Sequence, residues 1–189
     1  MKLQVITLAI ILTIATVPSL AAGNVSVGNV VFSETVRVAD TPLKLKGAAV
    51  LRYLGFIKAY AGAFYLPSDV ASWDDGDDVS RRLELSYYRA IKAEDFDKAT
   101  RKKVADNVDA ATFDVLFERL ERFGALYRDV QPGDRYALNY TPGRGTELTL
   151  NGESLGRIPG ADFAAAVFAI WLGANPIDEE FKASLLGRS

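Results

Sequence analysis

Polar groups set into apolar strands are the chemistry-bearing feature of this chain. Arg52 sits in Val50-Leu51-Arg52-Tyr53-Leu54 and Lys58 in Phe56-Ile57-Lys58-Ala59-Tyr60, and Tyr65, Tyr87 and Tyr88 follow in similar settings. Side chains alternate across a strand, so each of these must face either water or the interior. A guanidinium beside a phenol in an apolar cleft can hold a carboxylate or an enolate, with the guanidinium giving two parallel hydrogen bonds. The turn between the two runs decides the geometry. A three-residue loop at Leu54-Gly55-Phe56 sets Arg52 opposite Lys58 and Val50 opposite Tyr60, all on one face. A two-residue loop sends Arg52 and Tyr60 to opposite faces, because a one-residue shift inverts the pattern. Exposure to solvent, or pairing with an acid on a neighbouring strand, is the ordinary fate of such an arginine.

The residue types that are missing exclude whole classes of chemistry. The chain has no His and no Cys, which rules out Ser-His-Asp and Cys-His catalysis, thiol redox chemistry and Cys/His zinc sites. Gly152-Glu153-Ser154-Leu155-Gly156 matches the G-x-S-x-G pattern of serine hydrolases. That elbow needs a strand-to-helix turn and a histidine base, whereas here it follows an Asn-Gly turn. Asp74-Asp75-Gly76-Asp77-Asp78 lacks the ligand spacing of a calcium loop and reads as a solvated acidic segment. Gly143-Arg144-Gly145 reads as a turn rather than a phosphate loop. No metal and no cofactor is expected. With 22 Lys and Arg against 24 Asp and Glu, the net charge is −2; there is no basic field for nucleic acid.

The elements that must position these groups follow from periodicity. Residues 1–21 combine Lys2, an apolar run from Val5 to Val17 and small residues around Ala21-Ala22, the pattern of a secretory signal peptide. The run is short for a membrane span. The expectation is a periplasmic or secreted protein with no stable span after cleavage near Ala21-Ala22, an uncleaved anchor being the alternative, and one domain over residues 22–189. Short Val- and Phe-rich runs from Asn24 to Leu54 read as strands, as do Phe56–Leu66, Arg82–Arg89 and Arg135–Tyr140. Lys92–Phe123 shifts to helical spacing, with Phe113, Leu116, Phe117, Leu120 and Phe123 as the buried stripe and Asn107-Val108-Asp109 separating two helices. Glu147–Leu150 and Glu153–Ile158 form a hairpin about Asn151-Gly152. Asp162 is placed to cap a helix running to Leu172, apolar on every face and therefore buried. Asn175-Pro176 starts a last helix that Gly187 closes. The sum is an α+β fold with helices gathered in the second half.

The blocks GAAVLRYLGFIKAYAGAFYLPSD, RRLELSYYRAIKAEDFDKAT, NGESLGRIPGADFAAAVFAIWLG and the closing SLLG resemble, in order, the bacterial chalcone isomerase-like proteins, from about Leu43 to Gly187. The resemblance implies a large antiparallel sheet with helices packed on one face, an open-faced sandwich, and a ligand cleft between the layers. Plant enzymes of this fold cyclise a chalcone to a flavanone, using an arginine, a threonine, a tyrosine and an asparagine. Arg52 matches the arginine, while Tyr60, Phe96 and Lys103 stand at or near the other three positions. Phe96 cannot donate a hydrogen bond and Lys103 carries a charge, so the isomerase set is incomplete. Non-catalytic relatives bind fatty acids through an arginine and a tyrosine. The resemblance therefore implies a small amphipathic or aromatic ligand held by Arg52, Tyr60, Lys58, Tyr87, Phe96 and Lys103. Phe163 and Phe168, with Phe56, Phe64 and Trp171, would line an acyl tunnel. An Arg52-assisted isomerase acting on an enone is the alternative. Oligomeric state is not legible.

Overall fold

In the computed structural model, which describes residues 23–53, 55–70 and 78–188, the apolar runs and their turns become a meander. Strands β1 (Asn24–Val27) and β2 (Val30–Ser33) form a two-stranded ribbon. Strands β3 (Thr35–Val38), β4 (Thr41–Tyr53), β5 (Ile57–Leu66), β6 (Arg81–Tyr87), β7 (Arg135–Thr141), β8 (Gly145–Leu150) and β9 (Glu153–Ile158) pair antiparallel in sequence order as a seven-stranded sheet. Helices α1 (Ala93–Ala105) and α2 (Ala110–Gly124) interrupt the meander between β6 and β7; α3 (Ala161–Leu172) and α4 (Glu179–Leu185) follow it. The expected leader and most of the acidic segment lie outside the described residues. Among those described, no helix is long and apolar enough to cross a membrane.

Alternation along the strands creates two cores. Phe64, Leu83, Leu85, Leu138 and Leu148 point to one face and pack against Leu116, Leu120, Phe123 and the buried side chains of α3. Ala61, Ala63 and Tyr65 point to the other, where Val30 and Phe32 of the ribbon cover them. Acids in the first turn of α1 and lysines in its last complement the helix dipole. Asp109 caps α2, accepting from the Thr112 N–H at 2.8 Å, which is why two helices form rather than one.

Three local expectations change. Phe117 is 44% exposed: the buried stripe of α2 runs through Leu116, Leu120 and Phe123, and Phe117 falls one step outside it. Asp162 is not the cap of α3. Gly160 holds that position at φ 108°, and Asp162 in the first turn pairs with Arg119 at 2.6 Å. The last helix starts at Glu179 with Asp178 as its cap. Asn175 instead ties the α3–α4 loop to the end of α1, its N–H donating to Asn107 Oδ1 and its Nδ2 to the Asp106 carbonyl, both at 2.9 Å. Gly187 closes α4 as expected, with positive φ and its N–H on the Ser184 carbonyl. The G-x-S-x-G stretch is a hairpin turn leading into β9, and Ser154 Oγ donates to Glu147 Oε1.

Candidate functional site

Between the inner face of β5–β8 and helices α1 and α3 lies a cavity of about 280 Å³. Leu83, Leu85, Leu138 and Leu148 supply its sheet-side wall; Ile91, Phe96, Ala99 and Ile170 close it from the helices and the β6–α1 loop. The polar groups facing it are mostly phenols. Tyr60, Tyr87, Tyr127 and Tyr136 all line it, with Thr100 and Trp171, while Asp95, Lys103 and Ile177 complete the lining. Asp95 and Ile177 are exposed and mark the mouth. Lys103, about two turns along α1 from Asp95, also reaches solvent, its side chain 21% exposed.

Ring packing fixes the phenols. Phe96 stacks on Tyr127 with centroids 5.3 Å apart and meets Tyr87 and Tyr136 edge-on at 5.2 and 5.3 Å. Tyr60 is held edge-on between Tyr87 and Phe181. Such edge-to-face pairs are favoured by the ring quadrupole and set orientation as well as packing. Hydrogen bonding then separates spent hydroxyls from available ones. Tyr136 Oη accepts from the Arg128 N–H and donates to the Arg128 carbonyl, so it is spent. Thr100 and Tyr127 share one bond at 2.8 Å. Tyr60 Oη accepts from Trp171 Nε1 at 2.8 Å, which leaves its own proton free to donate, and the Tyr87 hydroxyl makes no hydrogen bond with a described residue. Burial raises the phenols of Tyr60, Tyr87 and Tyr127 well above their ordinary value. They stay neutral hydrogen-bond groups at any physiological pH rather than acids or bases.

A family profile described as chalcone isomerase-like matches residues 24–187. The chain belongs to the chalcone isomerase-like family. The fold agrees: the crystal structure of a fatty-acid binding protein from Arabidopsis thaliana superposes with a TM-score of 0.70 at 14% identity, over 87% of this chain and 96% of that one. Comparison with curated proteins by sequence finds no match.

In this chalcone isomerase-like protein the residues named from sequence divide into three groups. Tyr60, Tyr87, Phe96 and Lys103 share the cavity wall, joined by Trp171. Phe163, Phe168 and Phe64 are fully buried behind it; Phe163 packs on Phe123, and Phe168 lies between Phe64 and the Arg81 guanidinium. Arg52, Lys58 and Phe56 are elsewhere. The β4–β5 loop does set Arg52 opposite Lys58, yet the register shifts between Leu51 and Arg52, pairing Leu51 with Tyr60 and Val50 with Ala61. That bulge, an extra residue on β5 at Ala59, inverts the face from Tyr60 onward. Tyr60 therefore enters the cavity, while Arg52 and Lys58 are exposed and Lys58 lies over the Tyr88 ring. The expected juxtaposition of Arg52 and Tyr60 does not form. Thr100, Tyr127 and Tyr136 join the site only through the fold. A signal for Thr100 was present: Phe96, Ala99, Thr100 and Lys103 recur at helical spacing, one continuous stripe of α1.

Proposed function

We propose that the cavity binds a fatty acid or a similar amphipathic carboxylate and releases it unchanged. The observation that carries this reading is the cavity's composition: apolar walls, neutral phenols inside and, among the charged side chains of the lining, one cation, Lys103, beside one exposed acid, Asp95. Sites for apolar ligands have this make-up, with few polar groups fixing orientation. A carboxylate pushed deep among neutral hydroxyls would lose its hydration without gaining a counter-charge. At the mouth it meets Lys103, whose ammonium has three donors and gives one to Asp106 at 3.3 Å. The acyl chain then runs inward along Phe96 and Leu85, and the free hydroxyls of Tyr60 and Tyr87 suit a second oxygen further along it. A volume of about 280 Å³ is at the small end for organic ligands and favours a medium-length chain. The isomerase alternative required Arg52 as the enolate's partner. With Arg52 outside the cavity, a developing enolate would meet phenols without that guanidinium, which supports binding over turnover.

Titration with dodecanoic acid, followed by calorimetry, tests the assignment. Lys103→Gln should weaken binding roughly tenfold or more, the loss of a charge-assisted hydrogen bond, while Arg52→Ala should leave it within about twofold. Loss of affinity in Arg52→Ala with Lys103→Gln unaffected would overturn the orientation proposed here.

A further inference from the structure

The tip of the β4–β5 hairpin carries the most exposed aromatic side chains among the described residues, Phe56 at 73% and Tyr53 at 64%. Two exposed cations flank them. Arg52 and Lys58 stand directly opposite one another across the strand pair, and neither forms an ion pair with a described residue; the Lys58 ammonium lies 5.4 Å from the Tyr88 ring. Like charges facing across a sheet repel, so this pairing does not stabilise the hairpin and would be relieved by an external anion. Asp178 and Glu180 share a shallow groove with Arg52 and Gly55, but the Asp178 carboxylate is engaged by the Phe181 N–H as a helix cap. Aromatic side chains flanked by basic ones at a protruding point match the headgroup layer of a bilayer, where rings sit at the acyl boundary and cations meet lipid phosphates. Consecutive residues line the two depressions: Asp178 lines the Arg52 groove, and Ile177, 42% exposed, lines the cavity.

We propose that the β4–β5 tip docks this protein on an anionic phospholipid bilayer, with Phe56 and Tyr53 entering the headgroup layer and Arg52 and Lys58 on its phosphates. Docking does not depend on the cavity holding a ligand; passage of a fatty acid between bilayer and cavity at that contact does rest on the function proposed above. The net charge of −2 means that attraction is local to the tip, so binding is weak, reversible and reduced by salt.

The test uses the full chain with Phe56→Trp as a depth probe, its emission corrected for the two native tryptophans with the unmodified chain. Vesicles are phosphatidylcholine alone or an equal mixture with phosphatidylglycerol, each with acyl-brominated lipid as quencher. The tip tryptophan should shift to the blue and be quenched on the mixed vesicles, far less on phosphatidylcholine. Arg52→Gln with Lys58→Gln should cut that partition roughly 20-fold. An unquenched tip tryptophan, equal response on both vesicles or indifference to the double substitution overturns the proposal; a tip that binds protein instead gives the first of these. Because the probe reports the tip itself, attachment through any other segment does not imitate it. Dodecanoic acid binding in solution is measured on the same variants, so failure of docking and failure of the cavity reading are separately visible.

Discussion

On β6, Leu83, Leu85 and Tyr87 face the helices, while Arg82 and Glu84, from the same strand, face the β1–β2 ribbon. The outer group is charged and closed upon itself. Glu84 pairs with Arg82 at 2.9 Å and with Arg135 at 2.7 Å; Arg82 also donates to Asn139 Oδ1, and Arg135 to the Val31 carbonyl. Apart from Arg81 at the start of the strand, whose buried guanidinium lies over the Tyr140 and Phe168 rings, the inner group is neutral and partly open, with Tyr60 and Tyr87 each keeping a proton to offer. The contrast teaches where a site is to be sought in this fold. The outward charges of β6 are satisfied within their own cluster and fasten the ribbon, whereas the uncommitted polarity of the inner face lies among the phenols.

Titration has the largest expected effect, and it falls mainly on the inner face, although burial also raises the outer-face phenol of Tyr65. Buried Tyr60, Tyr87 and Tyr127 hold their protons more tightly folded than unfolded. Their folded pKa lies above the unfolded value of about 10, so stability is intact below that pH and falls as pH rises beyond it. Alkaline unfolding followed by circular dichroism should therefore track phenolate absorbance, and a chain stable well past that range would contradict the neutral inner face. Next, Glu84→Ala leaves two arginines facing each other and should cost about 2–4 kcal/mol in urea unfolding, less than a fully buried pair because both guanidinium groups are partly solvated. Dodecanoic acid affinity should hardly change. A smaller effect is expected from Gly62→Ala on the inner face. The new methyl would meet Phe181 Cζ at 2.6 Å and Leu85 Cδ2 at 3.1 Å, an overpacking cost of about 1–3 kcal/mol. Since Phe181 buttresses the Tyr60 ring, this substitution should also disturb binding, which the outer-face change should not.

Much of the frame was legible in the residues. The Asn151-Gly152 hairpin, the break at Asp109 and the all-apolar α3 follow from local rules about turns, caps and periodicity. The family blocks carried the layer order. The site was legible only in part. Tyr60, Tyr87, Phe96 and Lys103 share the cavity, but Arg52 does not join Tyr60, because a bulge leaves no mark in the alternation of Phe56–Tyr60. Likewise, Asn175-Pro176 has the form of a helix start, but Asn107 and the end of α1 engage Asn175, a tertiary contact that local sequence does not announce. Thr100 is the opposite case: its helical spacing with Phe96 and Lys103 is present in the sequence and marks the cavity only when the three stand as one stripe of α1.

The most direct measurement of the central claim is native mass spectrometry of the chain purified without detergent, followed by organic extraction. The account predicts a discrete adduct that extracts as a fatty acid or related carboxylate, persists in Arg52→Ala and is depleted in Lys103→Gln. A clean unliganded mass that also takes up no dodecanoic acid on addition, or an adduct lost in Arg52→Ala and retained in Lys103→Gln, would contradict it.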